Sequence, residues 1–174
     1  MDIRVEIVAD ADMTDDDRLT VGRWSVEMFA DDADFRGFSW AKPDWHVMVR
    51  EGAELVSCLK IMGRVGSVGG QPLRMAGIGD VMTAPEQRGK GYARAAMRAA
   101  VEFVCQRLGT EFGVLMCKPA LVPFYSRFGW EVVPEPLRFE QAWGKEVSPE
   151  VTMVKLCGER RWPDGEIDLH GLPW

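Results

Sequence analysis

Cysteine and histidine are scarce in this sequence, with four and two residues among 174. Cys58, Cys105, Cys117 and Cys157 are widely spaced and form no Cys-x-x-Cys pair, so neither a zinc site nor a disulfide framework is suggested, and all four are expected to be reduced. With only His46 and His170 there is little raw material for a metal site, and no metal is expected. No apolar run approaches the roughly 20 residues that a membrane helix requires, so a membrane partner is not expected. An excess of positive charge is also missing: the formal charge of −6 argues against a nucleic-acid partner, because phosphate neutralisation needs a basic surface. The opening stretch MDIRVEIVADADMTDDD is acidic where a secretory leader carries a basic start and an apolar core, so a cytoplasmic location is expected. Internal repeats, low-complexity segments, a Gly-Lys-Ser/Thr phosphate loop and a three-glycine dinucleotide fingerprint are all lacking.

What is present suits one domain over residues 1–174, with 47 % hydrophobic and 28 % charged residues. Ile3, Val5 and Ile7 alternate with Arg4 and Glu6, which predicts a strand with one buried face over Ile3–Ala9. Thr14 followed by Asp17 makes a capping-box-like start for a helix ending near Ala30, with Leu19, Val21, Trp24, Val26, Met28 and Phe29 on its apolar side. The first-turn aspartates favour the helix dipole. Asp31, Asp32 and Asp34 follow, mixed with Phe35, Phe38 and Trp40. Trp45–Arg50 and Leu55–Val65 predict two strands joined at Glu51-Gly52-Ala53, and Gly69-Gly70-Gln71-Pro72 turns into a third strand over Leu73–Thr83. Phe112–Cys117 predicts a buried strand, Val132-Val133 and Val151–Cys157 complete the sheet, and Pro134, Pro136 and Pro149 mark loops. The tail, about 159–174, ends on a large aromatic and is expected to dock.

The stretch from Met82 to Leu108 organises the rest. It passes Pro85, Gly89 and Gly91, then runs without a helix breaker, placing Ala93, Met97, Ala100, Val101, Val104 and Leu108 on one side and Arg94, Arg98 and Gln106 largely outside it. A helix N-terminus carries unpaired N–H groups and partial positive charge, so it binds anions where the chain can come close. Gly89 and Gly91 permit close approach, and Arg88, Lys90 and Arg94 add cations. This chemistry suits a phosphate ester.

Arg88-Gly89-Lys90-Gly91-Tyr92-Ala93 resembles the Gln/Arg-x-x-Gly-x-Gly/Ala segment of the GNAT superfamily of acyl-CoA-dependent acetyltransferases, and Phe124-Tyr125-Ser126-Arg127-Phe128-Gly129-Trp130 is similar to the family's Phe-Tyr-x-x-x-Gly-Phe segment. The likeness is strong from about Gly77 to Trp130. It implies an α/β (α+β) GNAT fold in three layers, a mixed and twisted six- or seven-stranded sheet flanked by helices. It also implies an N-acetyltransferase that uses acetyl-CoA (coenzyme A) as co-substrate, with a small-molecule amine as its partner; a homodimer is left open. The tail Trp162–Trp174, Asp34-Phe35 and Trp45-His46 resemble segments of aminoglycoside 2′-N-acetyltransferases, which implies a cationic acceptor such as an aminoglycoside or polyamine. Lys118-Pro119-Ala120-Leu121 and the tail also resemble the nodulation acyltransferases, which implies a longer acyl chain on an amino sugar; a non-catalytic coenzyme A-binding domain is the third alternative.

Carried over by this resemblance, Arg88, Gly89, Lys90, Gly91, Tyr92 and Ala93 hold the coenzyme pyrophosphate, with Val81, Met82 and Thr83 along its pantetheine arm and Cys117 and Phe124 beside it. Tyr125 protonates the departing thiolate, since a phenol of pKa about 10 stays protonated at neutral pH. Asp80, His46 and the Trp174 carboxylate are the candidate bases, and Asp34, His46, Asp80 and Trp174 face the acceptor. Cys117 has no neighbouring histidine and apolar surroundings, so it is expected to pack rather than attack.

Overall fold

The computed structural model describes residues 3–29, 32–33 and 37–174, and all structural statements concern these. One mixed sheet holds ten strands: β1 (Ile3–Ala9), β2 (Trp45–Glu51), β3 (Glu54–Val68), β4 (Gln71–Thr83), β5 (Phe112–Cys117), β6 (Glu131–Val133), β7 (Leu137–Gln141), β8 (Gly144–Val147), β9 (Val151–Leu156) and β10 (Ile167–Asp168). The order is β6-β9-β5-β4-β3-β10-β7-β8, with β2 on β3 and β1 on β2. This exceeds the expected six or seven strands. The additions β7, β8 and β10 are short, and two of them lie in stretches with little alternation, so they gain their order from pairing rather than pattern.

Three helices flank the sheet: α1 (Asp15–Phe29), α2 (Tyr92–Glu102) and α3 (Val122–Ser126). Alternation in the long strands serves two layers. Val47, Val49, Val56, Leu59 and Ile61 face the cluster that holds Tyr92, Ala96, Met97 and Ala100 of α2. Met48, Cys58 and Met82 face the other cluster, with Val21 and Trp24 of α1. The α2 apolar face continues through Val104, but Phe103–Arg107 winds as a π-helical segment, Leu108 N–H donating to Phe103 O at 3.0 Å.

Two expectations of burial are narrowed. In α1 only Asp17, Val21 and Trp24 are buried, while Leu19 and Val26 are exposed. Thr14 and Asp17 do form the expected cap, Asp17 N–H donating to Thr14 Oγ1 at 3.2 Å, but Asp17 also pairs with Arg50 at 2.6 Å. In β1, at the edge of the sheet, Ile3, Val5 and Ile7 stay more than a third exposed, because their shared face is not fully covered by a packing layer among the described residues.

The expectation of four reduced cysteines is corrected. Cys105, in the π-helical segment, is disulfide-bonded to Cys157 just beyond β9, 52 residues away, while Cys58 and Cys117 are free. Spacing carried no signal for this pair because the tertiary fold, not the local chain, brings the two together.

The tail is built into the sheet. Residues Ile167 and Asp168 pair with β3 on one side and β7 on the other. Arg64 donates to Leu172 O at 2.7 Å, Ala41 N–H to Pro173 O at 2.7 Å, and Ser67 Oγ lies 2.8 Å from His170 Nε2. The Trp174 indole lies flat over Gly77, where a Cβ would sit 2.1 Å from the ring. Gly77→Ala must therefore expel the indole. We expect a loss of about 1–3 kcal/mol, read as a lower denaturation midpoint together with faster proteolysis after residue 160. Unchanged stability with a protected tail would show that the ring shifts aside cheaply.

Candidate functional site

The site begins where two strands part. The parallel pairing of β4 with β5 runs only from Met75–Phe112 to Gly77–Val114, although β4 continues to Thr83 and β5 to Cys117. Beyond Gly77, β4 keeps β3 on one side and loses its partner on the other, so backbone groups on that edge are available to a ligand. β4 is also bulged here. Lys60 pairs with Gly79 and Cys58 with Met82, so Leu59 alone faces Asp80 and Val81. Asp80 takes φ +47°, a left-handed backbone that aspartate tolerates better than most side chains.

A cavity of about 380 Å³ opens at this divergence. Its walls come from Ile78 to Val81 of β4, Met116 and Cys117 of β5, Tyr125 of α3, Ser25 and Phe29 of α1, and Trp174. Three acids, Asp32, Asp80 and Glu150, and two lysines, Lys60 and Lys118, line it among the described residues. Lys60 is paired with Asp80, whose carboxylate also lies 3.5 Å from Ser25 Oγ. Lys118 meets Asp32 at 3.0 Å, tying the segment after α1 to the end of β5. The Trp174 main-chain carbonyl lies over Gly79, and its indole N–H donates to Val114 O at 3.2 Å, so the tail closes one wall of the gap.

Tyr125 is buried, with Phe124 packed edge-on at 5.1 Å. Burial pushes its phenol pKa well up, helped by Cys117 and Glu150 nearby, so it is held in the protonated form. Burial likewise pushes the Cys117 thiol up to about 11, and its Sγ lies 3.8 Å from Met153 Sδ. A thiol so protonated in apolar surroundings is a packing group.

At the far end of β4 a short 3-10 turn, Pro85–Gln87, leads to Arg88 and to α2. Gly89 and Gly91 have φ +79° and +90°, and a Cβ on either would meet nothing within 4 Å. The glycines are thus required by the backbone path and leave the approach open. Gly91 caps α2 without any side-chain hydrogen bond, so the first-turn N–H groups have no capping partner. Arg88 Nε reaches Thr83 O at 3.5 Å, and Lys90 Nζ donates to Gln87 Oε1 at 2.6 Å. Tyr92 turns its ring into the core, so it offers the loop its main chain only, and Ala93 is half-buried beside it. Val81 lines the cavity, Met82 is buried on the α1 side, and Thr83 Oγ1 lies 2.9 Å from Ser57 Oγ.

The structure brings Asp80, Val81, Cys117, Tyr125 and Trp174 to one cavity and sets His46 apart from its lining. His46 is buried, and its Nε2 lies 2.8 Å from Asp10 Oδ1. Asp31, Asp34 and Phe35 lie outside the described residues. As lining residues, Lys60, Lys118, Ser25 and Glu150 were missed by sequence reasoning. Lys60 left a trace as a lysine inside an otherwise apolar strand run, and Lys118 had entered only within the Lys118-Pro119-Ala120-Leu121 resemblance.

Comparison with solved structures gives the fold its class. The chain is similar to YhbS, a GNAT family N-acetyltransferase from Escherichia coli solved in complex with CoA, at TM-score 0.65 and 17 % identity over 99 % of this chain and 97 % of that one. It is similar to Escherichia coli ElaA at TM-score 0.64 and 18 % identity, over 88 % and 99 % of the two chains. A GNAT family acetyltransferase from Brucella melitensis, in complex with acetyl-CoA, matches at TM-score 0.59 and 14 % identity over 96 % of each. These likenesses define the GNAT fold. No curated protein sequence matches the chain. The family model described as acetyltransferase (GNAT) domain matches residues 24–133, and the chain belongs to that family of N-acetyltransferases. Among the described residues no helix is long and apolar enough to cross a membrane.

His46 gives a pH test of the arrangement. Burial lowers its pKa below 6.5, opposed by the hydrogen bond to Asp10, while Lys60 and Arg18 lower it further. As pH falls below about 6.5 the unfolded chain takes up a proton before the native one, so stability is full above that pH and declines as pH falls through the folded value. Wild type should lose stability as pH falls from about 6.5 toward the lowered folded value, by at most ~1.4 kcal/mol per pH unit, and His46→Gln should be flatter there in urea titrations. An identical slope in the variant would assign the pH dependence to other groups.

Proposed function

We propose that the protein transfers an acetyl group from acetyl-CoA directly to a primary amine on a cationic small molecule, of the aminoglycoside or polyamine class. The observation that carries this reading is the continuity of the free β4 edge, which runs from the acid-lined cavity to the uncapped N-terminus of α2. One end suits an amine and the other a pyrophosphate, with the thioester between them.

On this reading the first-turn N–H groups of α2, with Arg88 and Lys90, hold the pyrophosphate. The backbone of Val81 to Thr83 pairs with the pantetheine arm as an added strand, and an N–H there polarises the thioester carbonyl. The neutral amine attacks that carbon, the C–S bond breaks, and the thiolate takes the proton of the Tyr125 hydroxyl. The raised pKa of Tyr125 keeps that proton available across the neutral range. Asp80, held by Lys60, accepts the ammonium proton directly or through water and orients the amine. Acids outnumber bases among the lining residues, which favours a cationic acceptor over an anionic one. The Trp174 and Trp40 rings add apolar wall for a sugar or methylene face.

Thiol release from acetyl-CoA is the test, measured against aminoglycosides, polyamines, arylamines and amino acids. Acceptor-dependent release with cationic amines is expected. Tyr125→Phe should lower kcat about 10²–10⁴-fold with little change in the KM for acetyl-CoA, and Asp80→Asn should raise the acceptor KM. Coenzyme binding without release for any amine would overturn the reading.

A further inference from the structure

Among the described residues β6, β8 and β1 each have a strand on one side only. Two of these edges are blunted: β6 is three residues long, and β8 is four residues long and carries Lys145, paired with Asp168. The β1 edge differs. It holds seven residues, pairs with β2 in unbroken register from Ile3–Glu51 to Ala9–Trp45, and contains no proline, glycine or bulge. Alternate residues of such a strand turn their N–H and C=O groups away from the neighbour, which makes the outer side a template for a further strand. The β1 side chains divide by face. Ile3, Val5 and Ile7 lie on the face of Val47 and Val49 and stay 44 %, 38 % and 38 % exposed, while Arg4 and Glu6 share the other face with Met48. Glu6 meets Arg4 at 3.2 Å and Arg50 of β2 at 3.1 Å, so its carboxylate is already placed between cations.

We propose that β1 pairs antiparallel with β1 of a second copy of this chain, about a two-fold axis through Val5, so that two sheets join edge to edge. The order of residues selects this register. With Val5 on the axis, Arg4 of each copy lies opposite Glu6 of the other, and Ile3 lies opposite Ile7, so charged and apolar residues both meet their complements. An axis through Arg4 would set Arg4 against Arg4, and one through Glu6 would set Glu6 against Glu6, like charges directly opposite. An axis between two residues would put the apolar face of one copy beside the charged face of the other. In the favoured register each Glu6 has Arg50 of its own chain on one side and Arg4 of the other copy across the axis. Ile3, Val5 and Ile7 gain lateral apolar neighbours at the same time. A seven-residue edge, ~24 Å long, is a small contact, so the dimer is reversible and grows with concentration. Two strands, β2 and β3, separate this edge from β4, and the pairing neither needs nor tests the acetyl-CoA reading.

The test is sedimentation velocity over a concentration series, with thermal unfolding of each variant to show that its monomer is folded. Wild type should pass from monomer to dimer as concentration rises. Arg4→Glu should weaken the dimer about 10-fold or more, because two cross-strand pairs change from attraction to repulsion. Val5→Lys should do the same by placing two ammonium groups on the axis. Arg4→Glu mixed with Glu6→Arg should form a heterodimer, since each charge then faces its opposite, although neither variant pairs with itself. A wild type that stays monomeric up to about 0.1 mM would overturn the proposal. A dimer that tolerates Val5→Lys would place the contact elsewhere on the molecule and overturn it too. Folded variants that fail to pair in the mixture, or an Arg4→Glu dimer of unchanged affinity, would overturn the register. Should Glu6→Arg unfold through its loss of Arg50, the Arg4→Glu and Val5→Lys results decide alone.

Discussion

The parting of β4 from β5 after Gly77 and Val114 is the constraint on which the rest of the site depends. A sheet that stayed paired would bury every backbone group on that edge and leave no room between the strands. The bulge at Asp80 and Val81 bends β4 away, and the two glycines at 77 and 79 let the Trp174 residue lie directly on its backbone. The gap is therefore wedged by a side chain from a distant part of the sequence. The same divergence carries the chain from the cavity to the N-terminus of α2, so both ends of the site are fixed by one strand.

Charge is distributed in keeping with this division. The acids of the cavity are balanced in part by Lys60 and Lys118, each held in an ion pair, the first mostly buried and the second on the exposed side. The half-buried Lys60 and Asp80 pair across the bulge strengthens their attraction relative to a surface pair, since less water screens it. Around α2 the order reverses, and Arg88, Lys90, Arg94 and Arg98 lie on or near one end of a helix whose opposite face is wholly apolar. An acidic protein thereby keeps a basic region without spreading it.

Much of the fold was legible because its strong elements carry strong local patterns. The alternating runs of β2 to β4, the apolar β5 and the periodic face of α2 announce themselves, and so does the glycine loop with its cations. The candidate site was legible where a motif points to a residue that the fold then sets at the cavity or at the start of α2, as with Tyr125 and Gly91, and illegible where partners meet across the sheet. Lys60 opposite Asp80, Lys118 opposite Asp32 and Glu150 near Tyr125 depend on register and strand order, which no local spacing records. His46 shows the converse. Its neighbours in the chain resemble an acceptor segment, but strand parity turns it toward Asp10, away from the cavity lining. Burial in β1 was overread for a related reason, because alternation tells which residues share a face but not whether anything covers it.

The link between Cys105 and Cys157 encloses β5, α3 and β6 to β9, and with them Cys117 and Tyr125, while the glycine loop and the first turns of α2 lie outside it. Closing a loop of 52 residues removes conformational freedom mainly from the unfolded chain, worth about 4 kcal/mol in the chain-entropy model. That freedom is withheld from the whole segment carrying Cys117 and Tyr125, so the wall of the cavity that β5 and α3 supply belongs to a closed covalent ring while the glycine loop belongs to the open chain.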